Sequence, residues 1–148
     1  RQKTYIRALQ KYIPELEVYY GHFMTHEVSA PKAPLSRPPK FTKVVKTEEK
    51  GSDVNLAVHL INDYWLKKYK CAVILSNDSD LSEPLRLIKE RNDSVIGLIC
   101  PFDKSKGHPS RELTKYANFI KRIRGGVLQD SQLPNPIPGS TISKPSGW

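Results

Sequence analysis

The sequence predicts an α/β fold in which a mostly parallel sheet carries helices on both faces. Segments typical of strands alternate with segments typical of helices between residues 42 and 124, which is the order that parallel sheets require. Two short runs, residues 71–76 and 95–100, are densely apolar, as strands covered on both faces would be. The length of 148 residues suits one such domain.

The N-terminal third of the sequence predicts a helix, a strand and an irregular stretch. Apolar residues recur every three or four positions from Gln2 to Ile13, and Pro14 ends this helix. Leu16 to Phe23 is rich in aromatic residues and predicts a strand. The proline-rich residues 24–40 predict an irregular excursion, and the weak alternation from Phe41 to Lys46 predicts a short strand.

The remainder of the sequence begins with a polar turn over residues 47–53. Residues 54–66 then carry one broad apolar face of a helix, for which Ser52 or Asp53 is the expected N-cap. The segments that follow are predicted as strand 71–75, helix 81–91, strand 95–100, helix 110–116 and strand 118–124. Residues 125–148 are rich in Pro, Gly and Ser, so we expect a tail whose anchors are Leu133, Ile137 and Trp148.

The composition indicates the class of partner and the compartment. A formal net charge of +9 favours an anionic partner such as nucleic acid, although a solvated basic surface explains it equally well. Cys71 and Cys100 lie in apolar runs, so we expect reduced core residues and no disulfide or zinc site. No apolar run approaches the roughly 18 residues of a membrane helix, and no signal peptide is visible, which favours a cytoplasmic protein.

Two acidic turns follow predicted strands, "EEKGSD" at residues 48–53 and "SNDSD" at residues 76–80. Ligands of parallel α/β sheets bind at the carboxyl ends of the strands. If the two strands are neighbours, four carboxylates converge there, those of Glu49, Asp53, Asp78 and Asp80. Their mutual repulsion favours a bound cation, and Mg²⁺ and Mn²⁺ prefer such oxygen ligands. This arrangement predicts a metal site for phosphate chemistry.

The same turns have a second interpretation that needs no metal. Asp, Asn and Ser before a helix are common N-caps, and acids there complement the helix dipole. Asp80 and Glu83 also have the spacing of a capping box. Each turn by itself is explained slightly better by capping, and it is the occurrence of both turns in one basic protein that makes the metal site competitive.

The segments "EEKGSDVNLAVHLINDYW" and "CAVILSNDSDLSEPLRLI" resemble the NYN domain, a branch of the PIN-like nucleases. In that family a KG-x-DV-x-LA segment opens a helix, and an apolar strand then ends in S-[GN]-D-S-D. The end of the chain, "SQLPNPI" and "ISKPSGW", is similar to the end of bacterial members, so the resemblance covers residues 1–148. It implies a Rossmann-like fold over residues 1–124, a tail over residues 125–148, and metal-dependent cleavage of RNA.

The resemblance also implies roles for individual residues. Asp53 and Asp78 match the metal-binding acids of the family, Asp80 matches a third acid, and Glu49 is a further candidate ligand. We expect these residues to hold Mg²⁺ or Mn²⁺, and the three aspartates to be catalytic. The residues expected to contact RNA are Lys50, Ser76, Asn77, Lys104, Lys106 and Arg111.

One departure from the family concerns the N-terminus. The family's domain begins with a strand that carries a further aspartate, and nothing before Arg1 supplies that strand. We therefore expect an N-terminally incomplete sheet that upstream polypeptide or a second copy of the chain completes, and an enzyme that needs the complete domain. The alternative is a catalytically weak or inactive RNA-binding or regulatory module with a degraded site.

Overall fold

The computed structural model describes residues 2–91, 93–102, 105 and 107–148, and the chain divides into two compact units. One unit combines residues 1–18 with residues 69–148, and the other comprises residues 19–68. The structure is mixed α/β, as the sequence predicts, and its parallel sheet has three strands. Two further strands form a separate antiparallel sheet.

The helices and strands are numbered in chain order. They are α1 (Gln2–Tyr12), β1 (His22–Pro31), β2 (Phe41–Lys50), α2 (Ser52–Trp65), β3 (Cys71–Leu75), α3 (Ser82–Arg91), β4 (Val95–Cys100), α4 (Arg111–Thr114), β5 (Phe119–Arg122) and α5 (Gly125–Asp130). A 3₁₀ turn, Ser79–Leu81, directly precedes α3.

The larger unit is built around the parallel sheet, whose strand order is β3-β4-β5. The register aligns Leu75 of β3 with Ile99 of β4, and Cys100 of β4 with Arg122 of β5. The carboxyl ends of all three strands therefore lie at one edge of the sheet. This edge is where the turn Ser76–Asp80 begins, as the sequence predicts for that turn. The other acidic turn follows β2, which is not a strand of this sheet.

The core of the larger unit consists of aliphatic side chains that are at most 1% exposed. They come from α3 (Leu85 and Ile88), β4 (Ile96 and Leu98) and α4 (Leu113). Burying each such side chain stabilises the fold by about 1.5–3 kcal/mol. Helix α3 contributes because its apolar residues recur at helical spacing, whereas its charged residues lie on the opposite side.

The strands β3 and β4 differ in burial because only β4 is central. Cys100 on β4 is fully buried, as predicted. On β3 the even positions, Ala72 and Ile74, are buried, whereas Val73 and Leu75 are exposed. The prediction that β3 is covered on both faces is therefore wrong, and so is the prediction that Cys71 is a core residue, because Cys71 lies on the exposed face of an edge strand.

The contact between β4 and β5 depends on a glycine. Gly97 of β4 is the register partner of Phe119 of β5, and the phenyl ring lies over the glycine. A Cβ atom at residue 97 would lie 2.2 Å from Cζ of Phe119, which is far closer than real Cβ contacts. Gly97 is therefore required by the close approach of the aromatic ring.

The smaller unit contains the antiparallel hairpin of β1 and β2, which pair over ten positions from His22–Lys50 to Pro31–Phe41. The strand predicted over 16–23 is confirmed only at residues 22–23, because β1 begins at His22. Of the irregular excursion predicted over 24–40, residues 32–40 are irregular as predicted, whereas residues 24–31 belong to β1. Residues 47–50 of the polar turn predicted over 47–53 belong to β2. The prolines that suggested an irregular segment are concentrated in the loop between the strands, and cross-strand pairing extends both strands beyond their local sequence signal.

The hairpin also changes the expected sheet. The segment that begins at Phe41 was predicted to join the parallel sheet, but β2 pairs only with β1 among the described strands. Helix α2 follows after Gly51, whose φ of 93° is accessible to glycine at little cost. Gly51 is the N-cap residue, so the assignment of Ser52 or Asp53 to that position is wrong.

The C-terminal residues pack against the beginning of the chain. Ile137, one of the expected anchors, is 3% exposed, and the ring of Trp148 meets Tyr5 of α1 edge to face with centroids 5.9 Å apart. Residues 125–130 form the short helix α5 where the sequence predicted none. Within the described residues, no helix is long and apolar enough to cross a membrane.

Candidate functional site

The acidic turn after β3, residues 76–80, is ordered by its own hydrogen bonds. The hydroxyl of Ser76 accepts a hydrogen bond from the backbone nitrogen of Asp78 at 3.1 Å. Oδ1 of Asp78 accepts one from the backbone nitrogen of Asp80 at 3.0 Å, so Asp78 caps the 3₁₀ turn. The expected capping box of Asp80 and Glu83 does not form, because Asp78 is the cap and Glu83 pairs with Arg86 instead.

Both carboxylates of this turn are exposed. Only one oxygen of Asp78 is used in capping, and its other oxygen has no hydrogen bond within the part of the chain that the structure describes. Capping and ligand binding are therefore compatible at Asp78, since each uses a different oxygen. The two interpretations of this turn are not exclusive.

Asn77 connects the acidic turn to the segment before α4. Its Oδ1 accepts a hydrogen bond from the backbone nitrogen of Ser110 at 2.7 Å, and its Nδ2 donates to the carbonyl of His108 at 3.4 Å. Because Arg111 follows Ser110 directly, this bridge holds the start of α4, with the exposed side chain of Arg111, near the end of β3. The sequence marked Asn77 as a candidate but did not predict this bridge.

The other acidic turn, residues 48–53, lies at the end of β2. Oε2 of Glu49 accepts a hydrogen bond from the hydroxyl of Ser52 at 2.6 Å, and Oε1 accepts one from the backbone nitrogen of Ser52 at 3.3 Å. Glu49, which lies outside the helix, therefore supplies an acceptor for a backbone N–H of the first turn of α2. Asp53 is exposed in that first turn, where its negative charge complements the helix dipole.

The lysines at the end of β2 are partly neutralised by an acid. Glu48 forms ion pairs with Lys46 and, at 3.3 Å, with Lys50. Hydrogen bonds from both ammonium groups lower the pKa of the Glu48 carboxyl below its ordinary value, and the bond from Lys46 has the larger effect. Lys50, a candidate RNA contact, would have to exchange Glu48 for a phosphate oxygen.

The predicted site residues are distributed over both units. The smaller unit contains Glu49, Lys50 and Asp53, and the larger unit contains Ser76, Asn77, Asp78, Asp80 and Arg111. Lys104 and Lys106 lie outside the described residues. Of the described residues, no three His, Cys, Asp or Glu side chains form a group that could hold a metal ion. The convergence of all four acids stays a prediction.

The acidic turn after β3 nevertheless offers suitable donors for a hard cation. Mg²⁺ is usually bound through one or two carboxylates and keeps several waters. Asp78 and Asp80 supply two exposed carboxylates from one short turn, and the capping bond leaves a free oxygen on Asp78. This donor set fits Mg²⁺ or Mn²⁺ without a third protein ligand.

Comparisons with known proteins agree with the sequence resemblance. The family model described as NYN domain matches residues 18–124. The chain is 33% identical, over 99% of its length, to 6-hydroxy-3-succinoylpyridine 3-monooxygenase HspA of Pseudomonas putida (strain DSM 28022 / S16). The chain spans about half the length of that curated relative. No solved structure matches the chain significantly.

Proposed function

Because this chain belongs to the NYN domain family, we propose that it is the nuclease part of a metal-dependent endoribonuclease that cleaves RNA phosphodiester bonds. The observation that supports this proposal best is the exposed pair of Asp78 and Asp80 at the carboxyl end of β3. Ligand sites of α/β sheets occur at this position. The nearby start of α4 presents the positively charged side chain of Arg111.

In this proposal Asp78 and Asp80 hold Mg²⁺ or Mn²⁺, and the roles of Asp53 and Glu49 as further ligands stay predictions from the family resemblance. A bound divalent ion supplies positive charge to the scissile phosphate and makes water a better nucleophile at neutral pH. Ser76 keeps the backbone of Asp78 in place through its hydroxyl, and Asn77 holds the segment that leads into Arg111. Arg111 and Lys50 contact phosphate oxygens of the RNA, as would Lys104 and Lys106.

The alternative within the same family is an RNA-binding or regulatory module without efficient catalysis. The ion pair of Lys50 with Glu48 and the capping bond of Asp78 are both compatible with such a module. The two functions differ in one measurable respect, because only the nuclease cleaves RNA efficiently, and it does so only with a divalent ion.

The experiment is a cleavage assay on the purified full gene product with fluorescently labelled single-stranded RNA. We expect cleavage that rises with Mn²⁺ or Mg²⁺, stops on adding EDTA and falls by about a hundredfold or more in Asp78→Asn. The matched control is Asp130→Asn, which changes an exposed acid of α5. RNA that binds the wild-type protein but remains uncut at every metal concentration would favour the regulatory module.

The curated relative supplies a second candidate function, because its similarity extends over 99% of the chain. Its name describes monooxygenation of 6-hydroxy-3-succinoylpyridine. This candidate is tested by incubating the gene product with that compound, oxygen and a two-electron reductant, and by following the product by mass spectrometry. Turnover of the pyridine, together with intact RNA, would replace the nuclease proposal.

A further inference from the structure

The loop of the β1-β2 hairpin concentrates positive charge. Residues 28–47 contain five Lys or Arg residues and no Asp or Glu, although the neighbouring segments contain acids. Three of the cations, Lys32, Arg37 and Lys40, lie in the loop between the strands. We call residues 32–43, which comprise this loop and the start of β2, the basic tip.

The cations of the loop differ from those of the strands in their partners. Lys43 pairs with Glu27 at 3.4 Å, and Lys46 pairs with Glu48. Lys32, Arg37 and Lys40 are exposed, and none of them forms an ion pair with another described residue. Their charges are therefore not compensated within the described chain, and they are available to an anionic partner.

The backbone of the basic tip is constrained. The backbone nitrogen of Lys32 donates to the carbonyl of Lys40 at 2.8 Å, and the hydroxyl of Ser36 donates to the carbonyl of Pro38 at 2.8 Å. The loop also contains three prolines, Pro34, Pro38 and Pro39, whose rings fix the backbone angle φ at these positions. A constrained loop loses less conformational entropy when it binds, so its cations can engage a ligand at lower cost.

The basic tip also presents apolar surface to solvent. Phe41 is 58% exposed and Leu35 is 76% exposed, beside the uncompensated cations. Exposed aromatic rings among Lys and Arg are typical of surfaces that bind single-stranded nucleic acid, because bases stack on the ring while the cations contact phosphates. An acidic protein partner would use the charges but would gain less from the ring.

We propose that the basic tip is a binding site for single-stranded RNA, separate from the acidic turn after β3. Lys32, Arg37 and Lys40 contact backbone phosphates, and Phe41 stacks on a base. The identification of the nucleic acid as RNA rests on the proposed function, whereas the phosphate and base contacts follow from the tip itself. The site binds RNA without a metal, because none of these contacts involves a carboxylate.

The test is fluorescence anisotropy of a labelled single-stranded RNA with the full gene product in EDTA, so that cleavage plays no part. The tip variant combines Lys32→Ala, Arg37→Ala and Lys40→Ala. We expect affinity to fall by about tenfold or more, and the slope of log K against log[salt] to become shallower by about 2, because three phosphate contacts are lost. Phe41→Ala keeps that slope but lowers affinity by about fivefold or more.

The control variant removes the same charges from another exposed surface. It combines Lys3→Ala, Arg7→Ala and Lys11→Ala on α1, which are also two lysines and one arginine. We expect this variant to bind RNA within about twofold of wild type, with a salt slope shallower by less than 1. Circular dichroism of both variants checks that they are folded.

Three results would overturn the proposal. If the tip variant binds RNA as tightly as wild type, the tip is not a binding site. If the tip variant and the α1 variant lose affinity equally, net charge alone accounts for RNA binding. Preferential binding of the wild-type tip to an acidic peptide assigns the surface to a protein partner. The proposed nuclease fails separately, because RNA that binds the tip in EDTA but stays intact with Mn²⁺ contradicts cleavage and leaves the tip site standing.

Discussion

The side-chain oxygen of Asn77 lies 2.7 Å from the backbone nitrogen of Ser110, and this hydrogen bond joins the acidic turn after β3 to the start of α4. The bond is partly buried and spans 33 positions of sequence. It therefore connects two loops at the carboxyl edge of the parallel sheet, where the candidate site lies. Its loss affects both the stability of the fold and the position of Arg111.

Replacing Asn77 by alanine should lower the free energy of unfolding by about 1–3 kcal/mol, because the partly buried nitrogen of Ser110 then has no acceptor. Urea denaturation measures the change. The control is Ser110→Ala, which keeps the backbone nitrogen and removes a hydroxyl that makes no capping bond, so a change within about 0.5 kcal/mol is expected. Equal effects of the two substitutions would mean that the bridge does not stabilise the fold.

Two substitutions at Asp78 separate capping from metal binding. Asp78→Ala removes the acceptor for the nitrogen of Asp80, so we expect a loss of about 0.5–2 kcal/mol in stability. Asp78→Asn keeps a capping oxygen and should unfold at nearly the wild-type temperature, although it loses the carboxylate charge. Calorimetry of the metal-free protein, freed of EDTA by dialysis and measured with and without added Mn²⁺, gives both effects. If Mn²⁺ stabilises Asp78→Asn as much as wild type, Asp78 does not bind the ion.

Gly97→Ala should destabilise the protein by about 1–3 kcal/mol, because the new methyl group would overlap the ring of Phe119 on the neighbouring strand. The matched control is Gly126→Ala in α5, where the added carbon meets no described atom within 4 Å beyond its chain neighbours and the backbone of its own helix, and where alanine favours the helix. Chemical denaturation of both variants is the measurement. A Gly97→Ala protein as stable as wild type would show that the ring moves aside without cost.

Glu83 of α3 should titrate below its ordinary pKa of 4.5, because hydrogen bonds from Arg86 favour the carboxylate. The pair therefore contributes to stability above pH 4.5, and this contribution is lost as pH falls through the lowered pKa. An NMR titration of side-chain carboxyl carbons measures the value directly. Arg86→Ala should return the pKa of Glu83 towards 4.5, whereas Lys89→Ala should leave it lowered.

Local patterns in the sequence determined much of the larger unit. The apolar runs of β3 and β4 and the helical spacing of α3 are visible without any partner, because each reflects burial within one segment. The acidic turn is likewise predicted to follow β3, since the polar residues 76–80, with Asp78 among them, come directly after the apolar run. Family resemblance then assigned roles to the same aspartates, and the family itself is confirmed.

The tertiary structure decided what depends on contacts between distant residues. Pairing with β2 makes residues 24–31 a strand, although their local sequence and the nearby prolines suggested a loop. The bond from Asn77 to Ser110 and the exposure of Cys71 likewise depend on which segments become neighbours. Strand propensity is weak compared with cross-strand pairing and burial, so the sequence alone determined the segments and the acidic turn, whereas the fold determined their partners.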